Sequence, residues 1–187
     1  MSAAPKGLIL SGLMGSGKSS LERRLVTDYG FRHPRNVVTR AVDLSEDPNY
    51  ESINEPDFIV GAREGALVFA YRFGKTWYAY RRDEWQQILA ADGQGWVFNV
   101  RPYVGLLLRS LLASTEAVWL DVDEETRLAR VHKRDAPKDT DPERAHQDYL
   151  ELQYRQLYVN MLDSSDSDQC LSQALMLANS AGPGLQG

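Results

Sequence analysis

One cysteine and three histidines in 187 residues remove several classes of chemistry at once. Cys170 has no second cysteine to pair with, so no internal disulfide forms and a reducing, cytoplasmic setting is expected. His33, His132 and His146 lie far apart in the chain, without the spacing of a zinc site. The Gly-x-Ser-x-Gly of a serine hydrolase is absent. Long apolar runs are missing too. Gly7 to Met14 is too short to cross a bilayer and lacks a cleavage site, so neither a membrane span nor a targeting segment is expected. Positive charge is in deficit: 21 Lys and Arg against 26 Asp and Glu leave a net charge of −5. That balance makes a nucleic-acid or membrane-surface partner unfavourable, though it leaves room for a local basic cleft. No repeat is present. "DSSDSD", residues 163 to 168, lacks the central Gly and closing Glu of an EF-hand loop and reads as a polar turn before a C-terminal helix.

What is there begins at residue 8. Gly12-Leu13-Met14-Gly15-Ser16-Gly17-Lys18-Ser19 fits G-x-x-x-x-G-K-[ST]. Leu8-Ile9-Leu10 before it is a buried-strand pattern, and Leu21, Leu25 and Val26 after it recur at helical spacing. Strand, glycine loop and helix are the context in which this motif holds a phosphate chain. Glycines let successive N–H groups turn inward at an anion, and the helix starting near Lys18 adds its positive end. Lys18 can bridge the β- and γ-phosphates, and the Ser19 hydroxyl can ligate Mg²⁺. ATP with Mg²⁺ is the expected occupant, bound by Gly12, Gly15, Ser16, Gly17, Lys18, Ser19 and Ser20.

Several phosphate-loop classes share this feature, and the rest of the chain separates them. No N-K-x-D for guanine and no placed Asp-x-x-Gly switch is present, and the chain is short for an ATPase motor core. Further strands are expected at Val37–Val42, Trp96–Val100, Ala117–Val122 and near Tyr158–Leu162. Helices are expected at Pro102–Ala113, from Glu124, over Pro142–Tyr158 and over Gln169–Ala178. Alternating strands and helices imply an α/β fold, a parallel sheet flanked by helices, with ligands at the carboxyl ends of the strands.

Two stretches read as additions to that core. Residues 127 to 155 carry Arg127, Arg130, Lys133, Arg134 and Arg144 around a Pro/Asp-rich loop, the composition of a mobile lid whose cations close over phosphates. Residues 43 to 90 are rich in aromatics, and "ALVFAYRFGKTWYAYRR" alternates on either side of Gly74-Lys75 as a β-hairpin does. They read as an acceptor-binding lobe. The expected organisation is one domain, with its core in 1–42, 91–126 and 156–187.

This layout resembles the guanylate kinase family of P-loop nucleoside monophosphate kinases. The landmarks are the phosphate loop, "VVTR" at 37–40, "FGKTWYAY" at 73–80 and "RLARVHKRDAPKDTDPER" at 127–144. The resemblance implies that Arg40, Tyr50 and Tyr78 hold the acceptor, with Asn99 and Arg101 at the third strand's tip, where the family ends D-I-D. It makes Arg134 the adenine-side arginine and Arg144 the phosphate clamp. Glu46 matches a family glutamate. Asp43 stands where the family has a second arginine, and Phe69 falls near a guanine-reading glutamate, so GMP is not the expected acceptor. The ribose 1,5-bisphosphate phosphokinases are similar in layout and also carry Asn at the end of the third strand.

The expected activity is therefore phosphoryl transfer from ATP to a small acceptor, a nucleotide or sugar phosphate other than GMP. An alternative follows from Asp43: a carboxylate gained where a cation is lost suits a hydroxyl acceptor, on a nucleoside, sugar or modified base, with Asp43 as base. Asp43 as an ordinary turn residue is equally compatible with the sequence. An inactive binding module is a third reading, opposed by the intact Lys18 and Ser19.

Overall fold

The computed structural model describes residues 5–42, 49–134 and 149–180. It has two compact units, residues 1–32 with 92–187, and residues 33–91.

The larger unit is built on strand β1 (Gly7–Ser11), all five residues of which are buried. An uninterrupted apolar strand needs cover on both faces. It pairs in parallel with β6 (Val97–Asn99) on one side and β7 (Thr115–Asp121) on the other, and β7 pairs in parallel with β8 (Asn160–Asp163). The order is β6-β1-β7-β8. Leu8 and Leu10 share a cluster with Leu21 and Leu25 of α1 (Lys18–Tyr29) and with Leu171 and Ala174 of α6 (Ser167–Asn179). The opposite face of β1 meets α4 (Pro102–Leu111). Helix α5 (Glu124–Arg134) follows β7 and starts at Asp123, whose carboxylate accepts from Thr126 N at 2.8 Å. The "DSSDSD" stretch is a turn and a helix cap, as expected: Asp163 accepts from Ser165 N, and Asp166 from Asp168 N and Gln169 N. Those backbone donors hold both carboxyls below their ordinary range.

Two expectations need correction. The second strand does not extend the parallel sheet. Beside β6 the chain makes one isolated parallel bridge, Arg32 to Trp96, and the expected strand is β2 (Asn36–Val38) in the other unit. Val37 is fully buried there against Phe58, Leu67 and Ala79, which gives its side chain a better-shielded place than a sheet edge. The long helix expected to end at Tyr158 tightens in its described part into a 3-10 helix, Leu152–Leu157.

The 33–91 unit is a mixed sheet in the order β3-β2-β5-β4. Its remaining strands are β3 (Tyr50–Ser52), β4 (Leu67–Phe73) and β5 (Thr76–Arg81), with helices α2 (Glu55–Arg63) and α3 (Arg82–Ala90). β4 and β5 are the expected hairpin, turning at Gly74-Lys75, with a register shift between Val68 and Tyr71. Phe69, inside that irregularity, has φ 54°. Pairing of Asn36 with Tyr50 and Tyr80, and of Val38 with Ser52 and Tyr78, puts all of them on one face. Val37 and Ala79 fall on the other face, with Phe58.

Candidate phosphate-binding site

The loop between β1 and α1 has the backbone its sequence requires. Gly12, Gly15 and Gly17 have φ of 140°, 83° and 90°. Gly15 has a second constraint: a Cβ there would lie 2.7 Å from the Arg127 carbonyl oxygen and 2.9 Å from Val131 Cγ2, so α5 rests against the loop. Helix α1 begins with no acidic residue in its first turn, which leaves its positive end uncompensated. The Lys18 ammonium donates to the carbonyls of Gly12 (2.7 Å) and Leu13 (2.8 Å) and lies 3.4 Å from Ser16 Oγ. Loop amides, a helix end and an ammonium on one short loop are suited to a polyphosphate.

Asn99 ends β6 opposite Leu10. Its Nδ2 donates to Ser19 Oγ at 3.2 Å and to Glu22 Oε2 at 2.9 Å. Asn99 thus lies beside Ser19 of the phosphate loop helix. Arg101, two residues on, pairs with Glu151: its Nε donates to Glu151 Oε1 at 2.8 Å, and its guanidinium forms an ion pair with the carboxylate. The neighbouring Tyr158 hydroxyl is buried, 2.7 Å from both Ser11 Oγ and the Pro102 carbonyl, and burial pushes it up to about 12.

Two cavities flank the loop. One, of about 270 Å³, is lined by Gly15, Gly17, Ser20, Arg130, Ser164 and apolar side chains that include Leu21 and Leu120. Arg130 crosses its wall, donating to the Ser164 carbonyl at 2.9 Å. Cys170 also lines it, and burial pushes its thiol up to about 11, so at neutral pH it is an apolar wall. The other, of about 260 Å³, is bounded by Ser16, Asp121, Arg127 and Arg155. Arg155 is paired with Asp121 at 2.7 Å, and Arg127 lies 3.4 Å from the Met14 carbonyl.

In the 33–91 unit, the Arg40 guanidinium lies over the Tyr50 ring at 5.1 Å. The Ser52 hydroxyl donates to the Arg40 carbonyl at 2.7 Å. Tyr78 is on the same sheet face as Tyr50 and stacks on Tyr71, ring centroids 5.2 Å apart. Phe69 packs against Trp85 and Tyr80. Asp43, Glu46 and Arg144 lie outside the described residues, and of Arg134 only the backbone is described.

Sequence reasoning named Arg127 and Arg130 as lid cations without assigning them to the loop, and it passed over Glu22. The arginines' signal is their three-residue spacing on one helix face. For Glu22 it is an acidic residue beside the Leu21–Leu25 stripe.

A family model described as an AAA domain matches residues 8–151. A shikimate kinase of Caulobacter vibrioides is 32% identical over 133 residues, which is 70% of this chain and 57% of that protein. The chain thus spans somewhat over half the length of that relative. Among solved structures, a guanylate kinase from Anaplasma phagocytophilum superposes with a TM-score of 0.66 at 13% identity, over 92% of this chain and 83% of that one. A sugar kinase from Janibacter sp. gives 0.50 at 14% identity, over 95% and 99%. At those identities the likeness is one of fold: a phosphate-loop α/β architecture with a parallel sheet between helices.

Proposed function

The chain belongs to the AAA domain family, and on that premise we propose that it is a kinase transferring the γ-phosphoryl group of ATP to a small acceptor. The observation that carries this reading is the Lys18 ammonium held within the glycine loop at the start of α1, with Arg127 and Arg130 of α5 beside it. Loop amides and the helix end hold the β-phosphate. Lys18 spans the β- and γ-phosphates and stabilises the charge that shifts to the bridging oxygen in transfer. The cavity along Arg130 takes the nucleoside: its apolar walls suit a purine, and a planar guanidinium stacks on one. Arg134 and Arg144 join Arg127 over the phosphates from the lid.

The Ser19 hydroxyl and the Glu22 carboxylate, joined through the Asn99 amide, are hard oxygen donors that fit Mg²⁺. A bound Mg²⁺ would supply charge screening of the phosphates.

We assign the acceptor to the 33–91 unit, through Arg40, Tyr50 and Tyr78. The apolar packing of Phe69 supports an acceptor other than GMP, and the arginine–tyrosine pair suits a phosphorylated one, a nucleotide or sugar phosphate. The curated relative named as a shikimate kinase favours a second reading, a hydroxyl acceptor. There the acceptor oxygen attacks the γ-phosphorus, the bond to the ADP oxygen breaks, and the hydroxyl proton passes to the Asp43 carboxylate.

A coupled ADP-release assay separates these. Mg·ATP is presented with purine and pyrimidine monophosphates, ribose bisphosphate, free nucleosides, shikimate and simple sugars. Turnover confined to phosphorylated acceptors supports the first reading, and turnover confined to hydroxyl acceptors the second. Lys18→Ala lowers either rate by roughly 10³-fold. ATP bound without turnover on any acceptor would point to a binding module.

A further inference from the structure

Helix α1 carries a buried carboxylate one turn beyond the phosphate loop. Glu22 is 7% exposed. It follows Ser19 by three residues, so the two lie on one helix face, and the tilt of the Cα–Cβ bond aims Glu22 back towards the loop. Asn99 closes the group, donating from one nitrogen to both the Ser19 hydroxyl and the Glu22 carboxylate.

A magnesium ion on a triphosphate is held by hard oxygens, typically one or two carboxylates together with phosphate and water. In this chain the strand tip beside the loop ends in a neutral amide, and that amide presents its N–H₂ to the serine. The negative charge is on the helix instead. Placing a carboxylate on the buried side of α1, between Leu21 and Leu25, costs desolvation that a glutamine would largely avoid. A glutamine would accept the Asn99 hydrogen bond as well. The glutamate adds a negative charge to that contact.

We propose that Glu22 is the acidic member of the magnesium site, transposed from the strand tip to the phosphate-loop helix, and that Asn99 orients it towards Ser19. This rests on the Mg·ATP reading above.

The test uses Mn²⁺ as a spin probe, titrated by EPR into the full chain saturated with a non-hydrolysable ATP analogue. Glu22→Gln is expected to weaken Mn²⁺ binding roughly 10- to 100-fold, while metal-free analogue binding and thermal stability stay near those of the parent. The double variant Glu22→Gln with Asn99→Asp returns the carboxylate to the strand and restores Mn²⁺ affinity. Asn99→Ala removes the hydrogen bond that orients Glu22 and is expected to weaken Mn²⁺ binding as well, so the site is testable even where Glu22→Gln fails to fold. Unchanged Mn²⁺ affinity in folded Glu22→Gln, or in Asn99→Ala, overturns the assignment of Glu22 and leaves the nucleotide site intact. A parent chain that binds no analogue at all overturns the nucleotide reading itself.

Discussion

Gly15 concentrates two demands on one atom. Its φ of 83° disfavours any side chain, and a Cβ would run into the Arg127 carbonyl. The obstacle is backbone, so it cannot rotate away. Gly15→Ala should therefore cost about 1–2 kcal/mol from the left-handed conformation alone, and more from displacing α5. Differential scanning fluorimetry should show a lower Tm, and the shift that ADP adds to it should shrink. Lys18, Ser19 and the three glycines were legible in the sequence because the motif is local and each residue's role is set by its neighbours in the chain. The Asn99–Glu22 contact was not, because it joins residues 77 positions apart through strand β6 and helix α1. Arg101 shows the same limit. Its pairing with Glu151 joins residues 50 positions apart, and only the fold reveals it.

Among the elements, α5 has the most to do. It packs on the loop at Gly15, sends Arg127 towards Met14 and sets Arg130 along the cavity. Arg130 is the better target for substitution, since its expected effect is on nucleotide binding. Arg130→Ala should raise the KM for ATP by roughly tenfold, about 1.4 kcal/mol, with a smaller effect on kcat. A variant with unchanged KM would remove the cavity from the nucleoside's path. Elements with strong local signals were predictable: the hairpin from its alternation and Gly74-Lys75 turn, and β1 from its apolar run. The sheet that would take Val37 was not, because a three-residue strand has no period of its own and its partners are chosen by burial. Tyr50 and Tyr78 likewise share a face only once the β2 register is known.

At the scale of the molecule, each unit has a hydrophobic cluster of its own among the described residues. Phe58, 2% exposed, anchors the smaller one with Val37, Leu67 and Ala79. Phe58→Ala should cost that unit about 3–5 kcal/mol. The loop, Arg127, Arg130 and both cavities belong to the other unit. Isothermal titration should therefore find ADP affinity preserved in Phe58→Ala while transfer to any acceptor is lost. Loss of both together would mean that the smaller unit also supports the nucleotide.

The isolated bridge at Arg32 has a consequence for how such a chain changes over generations. Arg32 is tied at both ends of its peptide, its N–H to the Gly95 carbonyl at 2.8 Å and its carbonyl to the Val97 N–H at 2.8 Å. The chain leaves the larger unit at this knot and re-enters it at Asp92, a few residues short of the knot's other strand. Residues 33–91 are thus one continuous insertion between two parts of the larger unit. A segment inserted in that way is a cassette. It can be lengthened or exchanged without cutting any strand or helix of the larger unit.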